Sequence, residues 1–503
     1  MKLRKIAVMM LVALVTIESQ AANIMLENCE TLSFNKARGG ACQVLRGHVR
    51  FRQDRTVMYC DSAYFYSSQN SFDAFGHVRV VQDSTELTAN KMFYDGNLKL
   101  MRVRENITMR SGHFVLTTQK LDYYRQRGFA YYDEGAKITD PQFHLTSRIG
   151  YYYPQTRQAI FKHDVDLESK DFKIHTDTLS YNPRTGIATV LGPSKIFREG
   201  YVVTTKYAWM NNKKGDFRLY RRSLIESTDG MQHLIADTIY YNRTKGIAHA
   251  YNNIDAYDLR QHIGGRGNYG YFRQLPVHSG FLTRNGYIME YSSKDTMYIH
   301  ADTLSFNSDK SDQHRELKGR HNVRFFRNDF QGKCENMVYE TKDSVVNMMG
   351  DPVLWSQQNQ LTGDTVRLYM RNKKPDWLHI TGSALIVQRD DSLDYNQLAG
   401  RELKGYFINN QMRKVDIIGN AVSVFFPKDK AGDLIGVNRT EGSQMTIYIN
   451  DKRKLEKILM QPGTDGVMYP PFEAPKEVLF LKKFSWQYNI RPKYPMDIFT
   501  RYN

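Results

Sequence analysis

Three aspartates stand in near-identical settings: Asp177 in His-Thr-Asp-Thr-Leu, Asp237 in Ile-Ala-Asp-Thr-Ile and Asp302 in His-Ala-Asp-Thr-Leu. Two carboxylates at the right separation are the machinery of glycoside hydrolysis. Neighbouring segments, however, place Asn90, Gln119, Ser147 and Thr205 at the same point. An amide cannot take over proton transfer from a catalytic acid, whereas it can replace an acid that forms a turn or caps a ladder. These acids are therefore read as structural and no catalytic residue is assigned. An exported polysaccharide-degrading β-helix enzyme is the alternative they leave open. The fourteen histidines are scattered without metal-ligand spacing. Neither H-E-x-x-H, C-x-x-C, G-x-S-x-G nor a phosphate-binding glycine loop occurs, so no metal or cofactor is expected. Of four cysteines, Cys29 and Cys42 lie close enough in sequence to bridge in an oxidising compartment.

The elements that must position such residues begin with an export signal. Lys2, Arg4 and Lys5 precede an apolar run from Ile6 to Ile17, and Ser19 and Ala21 suit a signal-peptidase site. That assigns residues 1–21 to a signal peptide. Later segments lack the roughly 20 apolar residues of a membrane-spanning helix. A formal charge of +17 suits an anionic partner such as a phosphorylated lipid. Nucleic acid is not expected, because no recognition motif accompanies the charge.

The dominant feature is a repeat. A small polar residue, an apolar residue and an aromatic recur two positions apart. Examples are Asp61/Ala63/Phe65, Asn90/Met92/Tyr94, Gln119/Leu121/Tyr123 and Asp177/Leu179/Tyr181, at steps of 28 to 32 residues along the array. A second text runs in another phase, with Gly47-His48-Val49-Arg50-Phe51 and Gly76-His77-Val78-Arg79-Val80 as near copies. Alternation of apolar and polar residues inside each unit is the period of a half-buried strand. The reading is all-β: stacked two-stranded repeats, each advancing the stack by about 4.8 Å. Two repeat regions are expected, 22–262 and 299–468. The glycine-rich stretch 263–298 is a junction or loop between them, leaving one stack or two in tandem. A proline- and aromatic-rich tail, 469–503, cannot continue a ladder and caps or wraps one end.

On the Gly47–Phe51 and Gly76–Val80 strands, and on the units Thr176–Asn182, Ala236–Asn242 and Ala301–Asn307, the chain resembles the OstA-like (LptA-type) family of periplasmic lipopolysaccharide-transport proteins, in a long form. The resemblance implies an elongated open β-jellyroll, or β-taco, whose groove shields acyl chains and whose edge strands join other OstA-like domains. It implies a bridge or chaperone in transport of lipopolysaccharide, or a similar anionic glycolipid, to the outer membrane. The location implied is the periplasm or the periplasmic side of the outer membrane, with membrane contact indirect. A structural envelope protein is a further alternative. Groove lining would fall to Val49, Phe51, Val78, Val80, Ile107, Met109, Val165 and Leu167, and head-group contacts to Arg50, Arg52, Arg102 and Arg104.

Overall fold

The computed structural model describes residues 23–501 apart from 36–41, 183, 199, 212, 275, 292–293, 312, 373, 390–393, 410, 452–454, 462 and 472. The signal segment 1–21 lies outside the described residues. The described chain is almost wholly antiparallel strand, 36 strands in all. It divides into two compact units, Met1–Gly246 and Ile247–Asn503.

In the first unit, strands of 11 or 12 residues alternate with short turns. Cys42–Gln53 is followed by Thr56–Tyr66, Ser71–Gln82 by Thr85–Asp95, and Leu100–Ser111 by Phe114–Tyr124. Each strand pairs with the next. Both strands of a repeat therefore lie side by side in one ladder. Each repeat advances that ladder by two strand spacings, about 9.6 Å, twice the step expected from sequence.

Each of these long strands is bent at its middle. The register slips between Arg46 and Val49, Phe75 and Val78, Arg104 and Ile107, and Lys162 and Val165. At each slip two consecutive residues adopt left-handed backbone and face one residue of the neighbour: Gly47-His48, Gly76-His77, Glu105-Asn106 and His163-Asp164. The second sequence signature is this corner. The first signature lies on the facing strand, with its polar residue opposite the corner. Asp61 accepts from or donates to His77 Nδ1 through Oδ2 at 2.7 Å, according to tautomer and protonation. Gln119 Oε1 accepts the N–H of Asn106 at 3.0 Å, and Asn268 Oδ1 that of Asn253 at 3.2 Å. Carboxylate and amide thus both engage the corner they face, the one through a histidine side chain and the other through a backbone N–H. Asp177 and Asp237 stand four strand steps apart in the ladder, on the order of 19 Å. A glycosidase pair needs roughly 5–9.5 Å.

The corner folds each strand onto itself, so its two halves become facing sheets. Phe51, beyond one corner, stacks on Phe72, before the next, at 4.3 Å between ring centroids. Leu45, Val49, Phe51, Phe72, Val78, Val103 and Ile107 are sealed between the sheets. Each such side chain contributes about 2 kcal/mol by its removal from water.

The second unit repeats the plan, with its interior built from Leu304, Val323, Phe325, Leu354, Val366, Ile380, Leu403 and Ile417 among others. Residues 263–298, expected as a junction, instead hold four strands of this ladder: Ile263–Arg273, Ser279–Thr283, Tyr287–Glu290 and Met297–His300. The glycines there permit close approach: a Cβ on Gly280 would fall 2.6 Å from the Tyr271 carbonyl oxygen. The repeat text fades because packing at these rungs asks for glycine in place of the usual apolar residue.

The tail wraps the second unit along its side. From Lys476 to Arg501 it runs back over the outer face of one sheet, crossing the rungs in reverse order. Three glutamines at matching places, Gln397, Gln360 and Gln331, receive it. Gln397 Nε2 donates to Leu479 O and its Oε1 accepts from Leu481 N, both at 2.8 Å. Gln360 repeats the two-point contact with Ser485 O at 2.6 Å and Gln487 N at 2.7 Å. Arg491 Nε donates to Gln331 Oε1 at 2.8 Å. Farther on, the Phe499 ring lies 4.5 Å from that of His300, and Arg501 pairs with Asp302 at 2.7 Å. Leu479, Leu481, Phe484 and Trp486 pack with Leu385, Val387, Val424, Phe426 and Val437, making a third layer.

Cys29 and Cys42 are both free thiols. Strand Thr31–Phe34 runs along Cys42–Gln53 with Phe34 opposite Gln43 and Thr31 opposite Arg46. That places Cys29 beside the Gly47 corner and Cys42 at the far end of the same half-strand, on the order of 17 Å away. A bridge needs Cα atoms within about 7 Å. The expected disulfide is not formed, because nearness in sequence is undone by the strand between them.

Two outcomes follow. Gly76→Val places a side chain at φ +70°, with its Cβ 2.3 Å from Asp61 Oδ2. It should cost about 1–3 kcal/mol, read as a lowered urea midpoint, and an unchanged midpoint would refute the corner's demand for glycine. Burial pushes the Cys60 and Cys334 thiols up to about 12. Near pH 8 their thiolate fraction is on the order of 10⁻⁴. Iodoacetamide should therefore label Cys29 in the native protein and reach Cys60 and Cys334 only on unfolding, as peptide mass mapping would record.

Candidate functional site: an apolar cavity in the first unit

Five rungs into the first unit the ladder is interrupted. Strand Phe114–Tyr124 pairs over its first half with Ala136–Asp140 and over its second half with Phe129–Tyr132. Strands Phe143–Ser147 and Ile149–Tyr153 likewise share Gln158–Ser169 as partner. Asp133-Glu134-Gly135 and Arg148 replace the usual corner in these two split rungs. Loss of continuous strand here leaves room that an unbroken ladder would fill.

Tyr132 takes part of that room. Its ring lies over Gly150, where an added Cβ would fall 2.2 Å from the ring. The Tyr132 hydroxyl bonds Ser147 Oγ at 2.6 Å. Burial pushes that hydroxyl up to about 12, so it stays neutral. Asp133 beside it is pulled two ways. Burial favours the protonated form, but hydrogen bonds from Lys120 Nζ at 2.9 Å and Tyr131 OH at 3.1 Å outweigh it and hold the carboxyl below its ordinary range.

Next to Tyr132 is a cavity of about 110 Å³, reaching from Val80 to Phe161. Its walls are the inward side chains Leu87, Met101, Met109, Phe114, Leu116, Leu121 and Ile138, with Tyr123, Tyr151 and Tyr152 beside them. Gln82 and Thr85 supply a small polar margin. With so little polar lining, the space suits hydrocarbon better than water, which needs several polar partners. An apolar cavity near 150 Å³ admits a benzene-sized group. To take more than a few methylenes, the facing sheets must therefore part.

Of the eight residues expected to line a groove, Val80 and Met109 border this cavity. Val49, Phe51, Val78 and Ile107 are packed into the adjoining core, and Val165 and Leu167 are buried farther along. The four arginines are not brought to the cavity. Arg50 and Arg52 alternate with inward Val49 and Phe51, and Arg102 and Arg104 flank inward Val103, so all four point outward. Arg50 and Arg52 hold Glu27, Arg104 holds Asp122, and Arg102 lies over the Phe93 ring at 5.7 Å. Sequence reading missed the tyrosine wall. Its signal was the run of tyrosines at 123–124, 131–132 and 151–153, where the corner text fades to Gly135-Ala136.

Both units end on unshared edges. In the first, Met25–Asn28 and Thr31–Phe34 pair only with Cys42–Gln53 among the described residues, and expose Met25, Leu32 and Phe34. In the second, Leu455–Met460 and Asp465–Tyr469 pair only with Val437–Ile449 among the described residues, and expose Met460, Val467 and Met468. No helix is long and apolar enough to cross a membrane, among the described residues. No group of three or more histidine, cysteine, aspartate or glutamate side chains is placed to hold a metal, again among those residues.

Residues 21–177, which include the cavity, match the family profile of OstA-like proteins. Residues 291–374 match the profile of the LptA/(LptD N-terminal domain) LPS transport protein. Among curated proteins none matches. Among solved structures the chain is similar to LptH, the LptA homologous periplasmic component of the conserved lipopolysaccharide transport device from Pseudomonas aeruginosa. Identity is 18%, the alignment covers 28% of this chain and 95% of that one, and the TM-score is 0.22.

Proposed function

We propose that this chain, which belongs to the OstA-like family of lipopolysaccharide-transport proteins, shields the acyl chains of lipopolysaccharide or a similar anionic glycolipid between the facing sheets of its first unit. The observation that carries the reading is the apolar cavity at the split rungs, inside the segment that matches the OstA-like profile. Each methylene kept from water is worth about 0.8 kcal/mol, so a dozen are worth on the order of 10 kcal/mol per chain. An amphiphile of that kind crosses an aqueous compartment only inside a protein or a membrane. The cavity, continuous with an apolar core on its N-terminal side, supports such a role without any catalytic residue. In this reading the chain works in the periplasm as a bridge or chaperone.

The unshared edges support a further part of the reading. Open strands with exposed apolar side chains are an aggregation liability unless a partner strand adds to them. Edge-to-edge joining with other OstA-like domains turns that liability into assembly, and it would extend a shielded track.

The test is to fill the cavity. Met109→Trp combined with Leu116→Trp should abolish copurification of lipopolysaccharide, scored by mass spectrometry of extracted lipid, while far-ultraviolet circular dichroism stays as in the unaltered chain. A photocrosslinker at Leu116 should label the acyl portion of the lipid. Undiminished lipid in a folded double variant would sink the proposal.

A further inference from the structure

The two units treat the outer faces of their sheets differently. In the first, outward positions carry charge, as at Arg50, Arg52, Arg79, Lys137, Asp166 and Lys173. In the second, the equivalent positions on one sheet are large and apolar or neutral: Trp355, Leu385, Val387 and Val424, with Gln331, Gln360 and Gln397 between them. The tail covers them. Its contacts repeat along the rungs, and Trp355 Nε1 donates to the same Gln360 oxygen that accepts from the tail at Gln487.

That third layer bears on what the sheets can do. Admitting an acyl chain requires the two facing sheets of a unit to separate. A sheet buried on both faces resists bending, because each displacement disturbs packing on two sides. In the second unit the interior beneath the tail is filled by Phe325, Leu354, Leu361 and Ile386, and the tail runs across those same rungs. In the first unit, the rungs around the cavity pair charged groups on their outer face and have no such backing among the described residues.

We propose that residues 476–501 are an autoinhibitory strap. Docked on the glutamine row, it holds one sheet of the second unit against its facing sheet. Acyl chains are thereby kept out of that interior, and lipid entry is confined to the first unit. This rests on the lipid-carrying reading above. The glutamines act as a code for the strap: a side-chain amide carries a donor group and an acceptor group side by side, matching the C=O of one extended residue and the N–H of the residue two places on. The texts Asn359-Gln360-Leu361 and Asn396-Gln397-Leu398 repeat that device on strands two steps apart, with Val387 between the glutamines.

The experiment uses the full chain with a photocrosslinker at Leu116, in the cavity, or at Ile386, in the second interior, mixed with purified lipopolysaccharide. Crosslinking should be strong from position 116 and near background from 386. Gln360→Ala with Gln397→Ala should lift the strap, seen as faster tryptic cleavage at Lys482 and Lys483, and should raise the 386 crosslink several-fold while leaving 116 unchanged. Leu479→Asp with Leu481→Asp, altered on the strap itself, should do the same if the glutamine variant folds poorly. Equal crosslinking from both positions in the unaltered chain overturns the strap. So does a lifted strap with position 386 still silent both to lipid and to the apolar dye N-phenylnaphthylamine. Silence to lipid at both positions, with dye entering the second unit only when the strap is lifted, overturns the lipid reading and leaves the strap standing.

Discussion

Everything in this molecule depends on two consecutive left-handed residues at the middle of a strand. L-residues avoid that conformation, glycine accepts it, and asparagine and aspartate tolerate it. Placed once per repeat, the pair bends a strand of a dozen residues so that its two halves face each other. Without the corner, alternation of apolar and polar residues would make one flat sheet with an uncovered apolar face. With it, each strand supplies both walls of its own interior. The residue opposite the corner is then obliged to be polar, since it must meet backbone N–H groups that the ladder leaves without a strand partner. Gln119 and Asn268 meet that demand with their amide oxygens, whereas Asp61 engages its corner through the His77 imidazole.

Variation on this constraint creates the structural differences between parts of the chain. Where the corner is replaced by a break, at Asp133–Gly135 and Arg148, the ladder splits and leaves an apolar cavity walled by tyrosines. Where both faces of a sheet are apolar, as at Leu385–Val387, a further layer must cover the outside, and the tail does so. A conduit needs the first arrangement. The second stiffens a module and fills it. The same repeat thus provides a yielding unit and a braced one, by local changes at a few rungs.

The spacing of the recurring acids has a physical cause in this architecture. Equivalent residues of successive rungs are held at multiples of a strand spacing, and recurring acids are engaged with corners. The chemistry available to such a surface is burial and edge pairing, both spread over many residues. Strand alternation likewise sends the arginines singled out in sequence to the face opposite the cavity, where carboxylates and a ring engage them.

By itself the sequence determined the class of fold and the period of both signatures, because a two-residue alternation and a glycine-bearing text at constant spacing are local properties. It also pointed to a structural role for the acids, through the amides that replace them. Three things were decided only in the tertiary structure. Cys29 and Cys42 are kept apart by the length of a strand that sequence distance does not measure. The cavity arises from a missing corner, and a missing signal reads as noise until the neighbouring rungs are seen around it. The path of the tail rests on contacts more than 80 residues apart, between Gln397 and Leu479–Leu481. Consecutive apolar residues at 353–355 and 384–387 did announce a sheet covered on both faces, but what covers it is set by packing, which no local pattern encodes.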